Sequence, residues 1–163
     1  MPFATVAAMD RATFVHQFGN VFEAGAWVAE AAWPGRPFAA VESLHEAMVS
    51  VVLLAPRERR LALLRAHPDL AGHDALSAGC AHTQDAAGLR ALSASDRAEL
   101  LALSAAYRER FGFPFVICAR QHTAAGILAA ARTRVAADAG TEERTALDEV
   151  TKLAHLRLWE LVE

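Results

Sequence analysis

A chain of 163 residues, 54% apolar and 21% charged, has the size and composition of one folded domain, which excludes disorder and needs no disulfide to hold a core. A net charge of −3 excludes the basic footprint of a nucleic-acid or anionic-membrane binder, and no apolar run reaches the roughly 18 residues of a bilayer-spanning helix. Two cysteines, Cys80 and Cys118, form no C-x-x-C pair, a single lysine, Lys152, argues against Schiff-base chemistry, and the G-x-G-x-x-G, P-loop and H-E-x-x-H motifs are missing. Met1 to Asp10 lacks a positively charged n-region, so the expected location is the cytoplasm.

In chain order the pattern is helical with short breaks. Asp10 is placed to cap a first helix carrying Phe14 and Phe18, which Gly19-Asn20 ends. The composition predicts a short helix over Ala26 to Ala32, stopped by Pro34-Gly35 and Pro37. Ser43 with Glu46 resembles a capping box ahead of an apolar face at Leu44, Ala47, Met48, Val51, Val52 and Ala55. Pro56 suits the first turn of the next helix, which runs to about Ala66. His67-Pro68-Asp69-Leu70-Ala71-Gly72 then breaks the pattern, because a residue before proline avoids the α region.

From His73 to His82 no period is visible, and a weak helix is expected from Gln84 to about Leu89. Ser95 is the expected cap of a strong helix with Leu100, Leu103, Tyr107 and Phe111 at spacings of three and four. Phe113-Pro114-Phe115-Val116-Ile117-Cys118-Ala119 is extended and apolar. Helices follow from about Thr123 to Asp138 and from about Thr141 to Val162, with Gly140-Thr141 as the break. These elements predict an all-α fold: one compact domain over residues 1–163, a bundle of about seven to nine helices with two non-helical segments that form the active site.

Those two segments, His67 to Gly72 and Phe113 to Arg120, are where chemistry is expected, since functional residues concentrate on connections held by a rigid scaffold. Histidine is the residue type whose charge changes near neutrality, so His67 suits general acid–base work, or else it caps the preceding helix C-terminus. An extended segment leaves backbone N–H groups that must find a partner, which is either a ligand or a packed turn. Arg120 has the geometry to hold a carboxylate with two parallel hydrogen bonds, or pairs with a neighbouring acid at the surface. His67, Asp69, His73 and His82 follow no metal-ligand spacing, so no metal is expected. Cys80 and Cys118 read as small buried apolar residues, and Trp27, Trp33 and Trp159 as core or subunit-interface residues.

At these segments the sequence resembles a known family. His67-Pro68-Asp69-Leu70-Ala71-Gly72, Gln84 with Ala87-Gly88-Leu89, and Arg110-Phe111-Gly112-Phe113-Pro114-Phe115-Val116-Ile117-Cys118-Ala119-Arg120 together resemble the OHCU decarboxylases. OHCU is 2-oxo-4-hydroxy-4-carboxy-5-ureidoimidazoline, the last intermediate between urate and (S)-allantoin. The resemblance extends to Gly19-x-x-Phe22-Glu23, Trp27-Val28-Ala29 and the closing helix from Leu153 to Leu161. It implies an all-α homodimer that acts on a small ureidoimidazoline carboxylate with no metal or organic cofactor.

The same resemblance maps the catalytic acid to His67 and a site-lining role to Pro68. It assigns backbone contacts with substrate to Phe115, Val116, Ile117, Cys118 and Ala119, with Arg120 beside them. The family's S-x-x-E-Q substrate-binding motif falls on Cys80, Thr83 and Gln84, so only the glutamine is kept. Threonine cannot carry a proton or a negative charge at neutral pH. A non-catalytic or repurposed ligand-binding relative of the same fold is therefore the second expectation, and a helical interaction module with no small-molecule site is the third.

Overall fold

The computed structural model describes residues 1–70, 88–89 and 92–162. Among them every regular element is helical and no strand occurs, as the periodicity predicts. The chain forms two compact units: Met1–Ala66 with Thr151–Glu163, and His67–Val150.

In the first unit a 3-10 turn, Phe3–Ala8, leads to α1, Arg11–Phe18, whose N-terminus Asp10 caps by accepting the Thr13 N–H at 2.8 Å. Helix α2 covers Ala26–Ala32 and passes into a 3-10 turn at Trp33–Gly35, where Pro34 stops it as expected. Helix α3 covers Val41–Leu54 and α4 covers Arg57–Arg65. The core is built from one face of each helix. Phe14, Phe18, Val28, Leu44, Met48, Val52 and Leu64 are all fully buried, and the Phe14 and Phe18 rings lie 4.9 Å apart. Arg157 ties in the closing helix by donating to the Val21 carbonyl at 3.2 Å and to Glu23 at 2.5 Å.

In the second unit α5, Ala94–Phe111, packs on α6, Ala124–Arg134. Between them run the non-helical residues 112–118 and a 3-10 turn, Ala119–Gln121. The long α7, Ala139–Leu161, begins in this unit and ends in the first.

The helix starts differ from expectation where a nearby side chain outcompetes the predicted cap. Ser93, not Ser95, caps α5 by accepting the Asp96 N–H at 3.0 Å. Helix α3 starts at Val41, with Ala40 at the cap and Ser43 in the third position, where its hydroxyl takes the Ala40 N–H at 3.1 Å and donates to the Ala40 carbonyl at 2.8 Å. Pro56 is the cap of α4 and precedes its first turn. Helix α6 ends at Arg134, and α7 begins at Ala139 because Asp138 accepts the Thr141 N–H at 2.9 Å, so Gly140 lies inside the helix. Trp159 is not a core residue: it is 43% exposed and donates its indole N–H to His155 Nε2 at 2.7 Å. The weak helix expected from Gln84 to Leu89 falls almost wholly outside the described residues.

Candidate active site

Helix α4 stops at Arg65, and Pro68 keeps the chain from resuming it. His67 lies in this turn with only 4% of its surface exposed, and Pro68 and Asp69 are half-buried. Burial pushes the Asp69 carboxyl above its ordinary range, with the Arg108 guanidinium, 3.6 Å away, opposing the shift. Among the described residues Asp69 Oδ1 is buried without a hydrogen-bond partner.

Arg108 stands on the last turn of α5, where its carbonyl accepts the Gly112 N–H at 2.9 Å. Its ion pair with Asp69 therefore sets the His67 loop beside the helix end from which the second segment departs. Gly112 closes α5 with φ at 77°, the left-handed region that glycine enters without a Cβ clash.

The second segment is buried almost throughout. Phe115 is 1% exposed, Cys118 and Ala119 are fully buried, and the Phe113 and Phe115 rings meet Tyr107 edge-on at 5.8 and 5.4 Å. An irregular backbone this deep must be held by side chains. Arg134, from the end of α6, donates to the Val116 carbonyl at 2.7 Å. Glu149, from α7, accepts the Cys118 N–H at 2.7 Å.

Arg134 is itself held by Glu142, whose Oε1 lies 2.6 Å from its Nε and accepts the Tyr107 hydroxyl at 2.5 Å. Burial, and then the bond to Glu142, push the Tyr107 hydroxyl far above its ordinary range, so it serves as a fixed donor. Among the described residues, neither the N–H groups of Val116 and Ile117 nor the Ile117 carbonyl makes a hydrogen bond. Unsatisfied amide donors in a water-poor environment suit a ligand oxygen on which negative charge develops.

The structure thus joins the His67–Asp69 loop to the segment carrying Phe115, Val116, Ile117, Cys118 and Ala119 through α5. Arg120 is exposed on the following 3-10 turn. Cys80, Thr83 and Gln84, with His73 and His82, lie outside the described residues. Among the described residues no three His, Cys, Asp or Glu side chains gather as metal ligands, and no helix is long and apolar enough to cross a membrane.

Sequence reading missed Arg134, Glu142 and Glu149, because charged residues on helices read as solvent-facing. The available signal was register. Arg134 falls three residues after Ala131 and seven after Ile127, and Glu142 and Glu149 flank Ala146 at spacings of four and three, all on buried faces.

Residues 7–159 match the family model described as OHCU decarboxylase. A mouse (Mus musculus) protein described as 2-oxo-4-hydroxy-4-carboxy-5-ureidoimidazoline decarboxylase is 41% identical over 166 residues, covering 99% of this chain and 93% of its own length. A protein of the same description from Haloferax volcanii is 44% identical over 155 residues, covering 95% and 92%. A crystal structure of (S)-allantoin synthase superposes with a TM-score of 0.83 at 27% identity, over 99% of this chain and 54% of that one. A crystal structure of OHCU decarboxylase in the presence of (S)-allantoin shares the fold, with a TM-score of 0.72 at 22% identity over 94% and 98% of the two chains.

Proposed function

The chain belongs to the OHCU decarboxylase family, and from that premise we propose a cofactor-independent carboxy-lyase that converts OHCU to (S)-allantoin in urate degradation. The substrate's own ring supplies the electron sink. As the bond to the carboxylate breaks, CO2 leaves and the electron pair passes through the ring C=N onto its nitrogen and the conjugated 2-oxo oxygen, so no prosthetic group has to accept it; that nitrogen is protonated, and the 4-hydroxyl gives up its proton to become the ring carbonyl as the ureido-bearing carbon takes one. The enzyme's tasks are to turn the carboxylate out of the ring plane, to stabilise the developing charge, and to deliver a proton to one face of the ureido-bearing carbon. Single-face protonation makes one enantiomer of allantoin.

In this reading His67 is the catalytic acid. Pro68 lines the site, and the backbone of Phe115 through Ala119 orients the ring. Gln84, with Cys80 and Thr83 in the positions of the family Ser and Glu, completes the substrate contacts, and Arg120 meets the carboxylate. The observation that carries the reading is the buried His67 loop tied through Asp69 and Arg108 to a segment whose Val116 and Ile117 amides are unsatisfied among the described residues. We take residues 1–163 as one functional domain, acting as a cytoplasmic homodimer.

The test generates OHCU in place from urate with urate oxidase and 5-hydroxyisourate hydrolase and follows circular dichroism of the allantoin. Spontaneous decay gives a racemate without signal. A protein-dependent signal that vanishes in His67→Ala supports the assignment, and full activity in that variant excludes His67 as the acid. The relatives, described as decarboxylases, do not favour the second expectation, a binding protein of the same fold. A silent wild type whose Thr83→Glu variant becomes active by about 10²-fold or more over background would establish it.

A further inference from the structure

We infer that Arg134 and Glu149 are positioning residues that polarise the two peptide groups flanking Ile117 and so turn its N–H and C=O into a strengthened donor–acceptor edge for a cyclic ureide. The inference rests on the decarboxylase reading for the identity of the ligand. Its geometry stands on the residues alone.

The peptide groups around Ile117 are trans, so the N–H and C=O of each point in opposite directions. The group joining Val116 to Ile117 has its oxygen held by Arg134 at 2.7 Å, which sends the Ile117 N–H the other way. The group joining Ile117 to Cys118 has its N–H held by Glu149 at 2.7 Å, which sends the Ile117 carbonyl away from that carboxylate. Both polar groups of Ile117 therefore face away from the charged side chains that hold its neighbours. Among the described residues neither is hydrogen-bonded.

Charge sharpens this edge. A guanidinium on the carbonyl oxygen draws electron density through the amide and makes the attached N–H a better donor. A carboxylate on the N–H pushes density toward the carbonyl and makes it a better acceptor. The two effects have opposite signs on successive peptides and converge on one residue. A ring that carries N–H beside C=O, as a lactam or cyclic ureide does, matches Ile117 in the way one strand residue pairs with another. Arg134 and Glu149 are nine-tenths or more buried, with Arg134 at 8% and Glu149 at 7% exposure, so solvent screens them weakly.

The roles separate kinetically. The Ile117 N–H, backed by Arg134, faces the oxygen on which charge grows and acts on kcat. The Ile117 carbonyl, backed by Glu149, accepts a ring N–H that is present before and after reaction and acts on KM. Glu149→Gln keeps the shape and an acceptor oxygen for Cys118 while removing the charge. Cooperative strengthening by some 10–30% of a hydrogen bond in an apolar medium corresponds to roughly a two- to twentyfold effect.

The probe is hydantoin, a five-membered cyclic ureide, titrated into labelled full-length protein. In the wild type the Ile117 amide proton and carbonyl carbon should both shift on binding. Glu149→Gln should weaken hydantoin binding and raise KM by about tenfold, leave kcat within about twofold, and keep the wild-type melting temperature. Absence of a hydantoin shift at Ile117 in the wild type, or unchanged hydantoin affinity in folded Glu149→Gln, overturns the inference. If Glu149→Gln does not fold, the wild-type titration still decides. A wild type that binds hydantoin through Ile117 yet yields no optically active allantoin keeps the edge and defeats the decarboxylase reading instead.

Discussion

Replacing Arg134 with methionine removes the cation paired with Glu142, which is 1% exposed. The guanidinium contacts Glu142 at 2.6 Å, the Val116 carbonyl at 2.7 Å and the Tyr107 oxygen at 3.4 Å. Breaking a buried pair from one side typically costs about 3–5 kcal/mol, because the stranded charge stays desolvated. Glu142→Met should cost a similar amount by stranding Arg134. In the double variant no charge is stranded. What remains is a Tyr107 hydroxyl and a Val116 carbonyl without partners, together about 1–3 kcal/mol. Additive losses would sum to about 6–10 kcal/mol, so the cycle should show a coupling of several kcal/mol. Urea unfolding of the four proteins measures it, with slopes compared to confirm two-state behaviour. A double variant as unstable as the summed singles, or a single variant within about 0.5 kcal/mol of wild type, would refute the view that this pair is desolvated and coupled.

Two further outcomes follow from local geometry. Gly112→Ala should lose about 1–2 kcal/mol and Gly112→Asn less, since an added Cβ meets nothing within 4 Å and only the left-handed backbone is penalised; thermal melts that show no loss for alanine would contradict this conformation. For Asp69 the folded state binds the proton more tightly than the unfolded chain, so wild-type stability from this group is present at low pH and is lost as pH rises through the raised value. Asp69→Asn should therefore gain on wild type between about pH 3 and pH 7, a trend read from denaturation midpoints across that range and contradicted by the opposite slope.

The helices were legible because their evidence is local. Ala26–Ala32 is bounded by Pro34-Gly35, and Asp10 caps α1 where the sequence places it. The caps that shifted are cases where two candidates sit close together. Ser93 and Ser95 both precede the same apolar face, and only the three-dimensional path decides which hydroxyl meets an amide. The extended segment was legible through Pro114 and its apolar run. Its restraints were not, because a guanidinium and a carboxylate arriving from helices far along the chain leave no trace in the segment's own residues. Composition also predicts open amides along it, whereas Glu149 occupies the one at Cys118.

Those restraints have a consequence for the order in which the molecule matures. Arg134 lies 18 residues beyond Val116, and Glu149 lies 31 beyond Cys118. During synthesis the segment emerges long before either partner, so α5 can form while the backbone that follows it still samples many conformations. Loop closure over these separations must come first, and only the docking of α7 selects one. Competence to bind is then among the last properties the chain acquires. A ligand that recognises the locked segment adds its affinity to the fully docked state alone.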